Sequence, residues 1–181
     1  MQGKWVAALT VASIVYGVLT LNVLPWWGRL NAAQGGTELQ ATFSYGAEDV
    51  ARVFASFDPS LRADALAFYA VDVPNAVLFG TSIAALMGFA LRLLRAQHTP
   101  LRWLIALPLI SGASDLIENL CLTLALTISP DAPSLFGGLA GVSTTAKLAT
   151  GFTSIALMLL LLLSGLARAA WLKARGEPRR Q

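Results

Sequence analysis

The chain reads as an all-α, polytopic membrane protein, a four-helix bundle with one or two short amphipathic helices in a long extracytoplasmic loop. Three features point there. Hydrophobic residues fill 56% of the 181 positions and charged residues only 13%, about half the charged share of an ordinary soluble domain. Four apolar runs of roughly 20 residues recur along the chain, each long enough to cross a hydrocarbon layer of about 30 Å. Lysines and arginines gather at the ends of these runs, as they do at the rims of membrane helices.

The first span is expected at residues 5–24, where Trp5 to Leu24 carry no charge and Pro25 ends the run. Trp26 and Trp27 then read as aromatics at the membrane interface. A secretory signal is the competing reading, with Lys4 as the basic start and Asn31 to Gln34 as small cleavage-site residues. The run is longer than a signal's apolar region, which favours a retained span.

The loop 25–72 shifts in composition, holding six of the ten acidic residues (Glu38, Glu48, Asp49, Asp58, Asp64 and Asp72). A loop of this length needs structure of its own. Val50, Val53, Phe54 and Phe57 follow the spacing of an amphipathic helix. Asp58 and Pro59 form an N-cap and first-turn signal leading through Leu61, Ala65, Phe68 and Tyr69. Two short helices lying on the membrane surface are expected, with a lid over a pocket between the spans as the alternative.

The second span is expected at 73–94 with Pro74 in its first turn, and the third at 101–124 with Pro108 as a kink. A turn rich in proline around Pro130 and Pro133 leads to the fourth span at 139–166. Gly137 and Gly141 precede or open that span as a GxxxG pair, which suits close packing within the bundle or dimerisation. Residues 1–172 are expected to form one domain and 173–181 a basic tail.

Counting Lys and Arg outside the spans sets the orientation. Lys4, Arg92, Arg95, Arg102, Arg168, Lys173, Arg175, Arg179 and Arg180 fall on one side, and Arg29, Arg52 and Arg62 on the other. The positive-inside rule then puts both termini in the cytoplasm of a bacterial plasma membrane. The formal charge of +3 lies at helix ends without interleaved aromatics, so nucleic acid is not an expected partner. Cys121 is a lone thiol and His98 a lone histidine with no acidic or thiol neighbour in sequence. No metal site, disulfide or cofactor is expected.

Chemistry gathers in the third span, where Ser111, Asp115, Glu118 and Asn119 share one helical face. Carboxylates at membrane depth are costly unless paired, so that face should look inward. The fourth span offers Ser143, Lys147, Thr150 and Ser154 at similar spacings. Folding spans three and four as a hairpin about the Pro130 to Pro133 turn puts Glu118 opposite about position 145 and Asp115 opposite about 148. Lys147 falls between, and is expected to pair with Glu118 or Asp115, with Asn119, Ser111, Thr144 and Thr150 supplying further hydrogen bonds. Asn22, Asp72, Asn75 and, deeper, Tyr16 should add polar groups on the loop side. The outer half of the bundle is therefore expected to be polar inside, with a cavity open to the outside.

These residues resemble a group of uncharacterised bacterial four-span membrane proteins. Its pattern is matched here by Arg62, Tyr69 and Asp72, by Asp115, Glu118 and Asn119 as Asp-x-x-Glu-Asn, and by Thr144 or Thr145 with Lys147. The likeness covers about Gly46 to Leu163 and implies no activity. In span count and intramembrane acids the chain is also similar to the sterol-isomerase and sigma-2-receptor superfamily, whose members bind hydrophobic amines or sterols; the order and spacing of motifs differ.

The functional expectation is a non-enzymatic small-ligand binder or accessory subunit, with Asp115, Glu118, Asn119, Lys147, Thr150, Asn75, Asp72 and Tyr16 as its polar core. Such a core can also serve only to fix helix pairing. An intramembrane enzyme using Asp115 or Glu118 as general acid or base on a lipophilic substrate is the alternative, and proton or ion conduction a further one. Expected partners are the lipid bilayer, a small lipophilic or polar ligand in the outer half, and a homo-oligomer or larger membrane complex.

Overall fold

The computed structural model describes residues 2–22, 25–34 and 39–175. Expectations resting on the Asn22 and Trp27 side chains, on Glu38, or on Arg179 and Arg180 lie outside the described residues. The helices are α1 (Gln2–Asn22), α2 (Pro25–Ala33), α3 (Ala47–Ala55), α4 (Pro59–Leu94), α5 (Ala106–Ile128) and α6 (Leu135–Ala174), with short 3-10 turns at Leu39–Ala41 and Pro100–Ile105. Among the described residues four helices are long and apolar enough to cross a membrane: α1, α4, α6, and α5 with the turn before it. Helices α4, α5 and α6 pack against one another, and α1 leans chiefly on α4.

Two prolines exchange the roles their sequence context suggested. Asp58 caps α4, its side chain accepting from the Leu61 amide at 2.8 Å with Pro59 next in the chain. The helix so begun runs 36 residues without a break, passing straight through Pro74. The expected surface helix and second span are thus one helix, and Pro74 lies in its interior instead of its first turn. Pro74 and Ala70, whose carbonyl loses its helical donor, are both on the exposed face, where the ring displaces no neighbouring helix. Pro108 is the third residue of α5, a position whose N–H would have no helical acceptor. It sits in the first turn of the α-helix, just after the 3-10 turn Pro100–Ile105.

Small residues bring the spans close. A Cβ on Gly80 would stand 2.8 Å from the Pro108 carbonyl, and one on Gly112 2.8 Å from the Ala76 carbonyl, so α4 and α5 touch backbone to backbone. Gly165 lets α4 approach α6 in the same way, with Leu93 Cβ 3.0 Å from the missing Cβ. This is the packing that membrane helices use where no hydrophobic drive separates lipid from protein. The GxxxG pair serves another purpose. Gly137 receives α3, whose Ala47 and Val50 lie 3.3 Å from its missing Cβ, and Gly141 receives the Tyr45 carbonyl.

The loop folds onto the bundle end, with α2 against α4 and α3 against α6. Gly46 and Asp49 cap α3, the Asp49 carboxylate accepting from the Gly46 amide at 3.0 Å. Its expected stripe is buried: Val50, Phe54 and Phe57 join Leu30, Tyr45, Phe68, Tyr69, Leu122 and Ala140 in one hydrophobic cluster. That burial is against protein, which corrects the expectation of helices lying on the membrane. The polar groups expected inside the outer half are there, but the loop end above them is closed by aromatic and aliphatic side chains instead of open. On the outside Arg29 pairs with Asp64 at 2.8 Å and Arg62 with Asp131 at 2.7 Å.

Membrane depth follows from helix register. Gly3 faces Phe89, Leu9 accepts from Ser82, and Tyr16 donates to Val71, so the apolar stretch Gly3–Thr20 lies alongside residues 71 to 89 of α4. About 20 residues separate Asp72 from Arg92, and Lys147 from Arg168, a rise of about 30 Å. A hydrocarbon layer of about 30 Å counted from the basic helix ends would reach the level of Asp72 and Lys147. On the α5 and α6 side the apolar surface continues past that level through Leu120, Ile128, Leu135 and Val142, all exposed.

Replacing Gly112 or Gly80 by Val should force α4 and α5 apart and lower stability by about 1–3 kcal/mol, measured by thermal unfolding in detergent. The same change at Gly138, which meets nothing within 4 Å, should have little effect.

Candidate functional site: a buried polar layer

Six of the eight candidate side chains meet in one layer between α4, α5 and α6. Helix periodicity points Asp115, Glu118 and Asn119 of α5 towards α4 and α6. Lys147 of α6 comes to both acids, its Nζ 3.2 Å from Asp115 Oδ1 and 2.5 Å from Glu118 Oε2. The sequence expectation named either acid as partner; the lysine bridges the two. On the α4 side Asp72 accepts from Asn75 at 3.0 Å on Oδ1 and from Asn119 at 2.9 Å on Oδ2.

Glu118 is the centre of this arrangement and is 0% exposed. Its Oε1 lies 2.5 Å from the Thr144 hydroxyl and accepts from the Tyr45 hydroxyl at 3.2 Å, while Oε2 is met by Lys147 alone. Thr144 Oγ1 is also 2.7 Å from the Tyr45 hydroxyl, so three oxygens share two protons and the carboxylate can accept both. Burial and the neighbouring Glu118 carboxylate push the Tyr45 phenol well above its ordinary range. Tyr45 is therefore a proton-bearing donor at any physiological pH.

The other candidates stand aside. The Tyr16 hydroxyl donates to the Val71 carbonyl at 2.8 Å, tying α1 to α4 next to Asp72 without reaching a carboxylate. Thr150 turns back on its own helix, donating to the Ala146 carbonyl at 2.6 Å. Ser111 donates to the Lys147 carbonyl at 3.0 Å and not to the charged cluster. Tyr45 is the member that sequence reasoning missed. It comes from a non-helical stretch just before α3, and no local periodicity links it to residues a hundred positions away. The one available signal was Gly141, whose bare backbone implies that something approaches α6 there.

Proton and charge accounting gives the layer its chemical character. Three carboxyls face a single lysine. Five of their six oxygens have a donor or a cation against them; among the described residues none donates to Asp115 Oδ2. The Asp115 and Lys147 side chains keep 15% and 16% exposure. The part of the layer still open to its surroundings is thus its Asp115 and Lys147 end, while the loop end is sealed.

Compared with known proteins, the chain matches no family profile, no curated protein and no solved structure.

Lys147→Met should leave buried carboxylates without their cation and cost about 3–5 kcal/mol. Combining it with Glu118→Gln should recover a substantial part of that loss. Chemical unfolding of the two single variants and the double variant in detergent measures the coupling.

Proposed function

We propose that this membrane protein binds a small polar or amphipathic ligand at the Asp115 and Lys147 end of its buried layer, and that it does so without catalysing a reaction. The observation that carries this reading is Asp115 Oδ2, against which no described residue sets a donor or a cation, on a side chain that keeps contact with the surroundings. A site built only to fix helix pairing gains nothing from a surplus of acid over base, because unpaired buried charge costs stability. A ligand group that donates a hydrogen bond or carries positive charge would complete the set. In this reading Lys147 and Glu118 hold Asp115 in place, and Asp72, Asn75 and Asn119 fix the facing wall on α4.

Orientation belongs to the same proposal: the basic helix ends lie in the cytoplasm and the loop outside, by the distribution of Lys and Arg. Catalysis ranks second because the carboxylates of the layer are already engaged, Asp115 and Glu118 by Lys147 and Asp72 by Asn75 and Asn119.

Protein purified gently from a native membrane and analysed by native mass spectrometry should carry a bound small molecule, and removing it should lower the melting temperature. Asp115→Asn should retain the fold and lose the bound mass. Empty protein, or bound mass unchanged in Asp115→Asn, would contradict the reading.

A further inference from the structure

Glu118 is closed off from the loop side by a piece of chain that is neither a span nor a helix. Residues 43–46 lie between the 3-10 turn and α3 and run along α6 as a strap. The Tyr45 carbonyl sits in the notch at Gly141, where a Cβ would collide with it. Thr145 Oγ1 donates to the Phe43 carbonyl at 2.8 Å, and the Phe43 ring stacks on Phe152 with centroids 5.9 Å apart. Both of those rings are more than half exposed, so the strap's outer edge is peripheral. Its inner edge is the Tyr45 ring, buried with its hydroxyl on Glu118 and Thr144.

The remaining polar groups against Glu118, Lys147 and Thr144, belong to α6, which cannot leave without breaking the bundle. The strap can. Its hold is a few hydrogen bonds, one ring stack and one buried ring, and its carbonyls would find water on the loop side once released. Segments with so few buried contacts open at lower cost than the whole fold. Extended backbone at Gly46 (φ −121°, ψ −175°) joins it to α3, which stays anchored through Val50 and Phe54.

We infer that residues 43–46 are a gate: the strap lifts from the Gly141 notch while the helices stay packed, and Tyr45 leaving Glu118 opens the polar layer to the loop side. As regulation of a ligand site this rests on the proposed function; as a motion it does not.

Cys121, the chain's single cysteine, reports the motion because it is buried in the same cluster as Tyr45. The full-length protein in detergent is treated with a small charged methanethiosulfonate reagent, without added ligand, and the labelling rate of Cys121 is followed by mass spectrometry. Tyr45→Phe keeps the ring and removes its hydrogen bonds, and should label about threefold to tenfold faster than the unaltered protein. Gly141→Ala fills the notch and should label faster still. In both, the rate should be indifferent to low urea, as expected of a local opening that exposes little surface. Tyr45→Phe labelling at the unaltered rate, or a rate that rises with urea in step with global unfolding, would overturn the gate. If Gly141→Ala fails to fold, Tyr45→Phe decides alone. A negative result here leaves ligand binding standing, whereas an empty native protein with a working gate removes the ligand and keeps the motion.

Discussion

Lys147 reaching both Asp115 and Glu118 is the contact on which the rest of the structure depends. A carboxylate as fully enclosed as Glu118 persists only with a cation and hydrogen-bond donors around it. That requirement sets the height of α5 against α6, the orientation of Thr144 and the placement of Tyr45. Asp72, held by two amides, does the same for α4 through Asn119. The glycines at positions 80 and 112 are then consequences, since short polar contacts need backbones that approach closely. The layer aligns three helices at one level in a way that interchangeable Leu and Ala contacts could not.

Position matters as much as pairing. The layer lies between the apolar stretches of the spans on one side and an aromatic cluster on the other. Sealing by Tyr45, Phe54, Phe68 and their neighbours keeps water off Glu118 from the loop side, and the Asp115 end remains in contact with its surroundings. One layer therefore has a closed end and an open end, an asymmetry that a purely structural ion pair does not call for.

Much of this was legible in the sequence. Span count follows from hydrophobicity, and the α3 stripe follows from the spacing of Val50, Phe54 and Phe57. The height of Lys147 relative to Asp115 and Glu118 follows from helical rise and a short hairpin turn, because all three lie within a few turns of it. What stayed hidden depends on distant parts of the chain. Tyr45 joins the layer through a loop whose path no period encodes. Pro74 and Pro108 obey the usual steric rules, yet which one falls in a first turn depends on whether an α-helix already runs before it, as Pro59 to Val73 does before Pro74, whereas a 3-10 turn precedes Pro108. The loop's acids divide in a way composition does not show: Asp72 turns inward to Asn75 and Asn119, while Asp64 pairs with Arg29 away from the layer.

The central claim is a direct contact between Lys147 and Glu118 inside the membrane protein. Solid-state NMR on protein in lipid bilayers, with ¹⁵N in the lysine side chains and ¹³C in the glutamate carboxyls, tests it by dipolar recoupling. Lys147 and Glu118 account for the expected signal, and an Nζ to Oε2 separation of 2.5 Å corresponds to strong dephasing that disappears in Lys147→Met. Absence of dephasing in the unaltered protein would contradict the account.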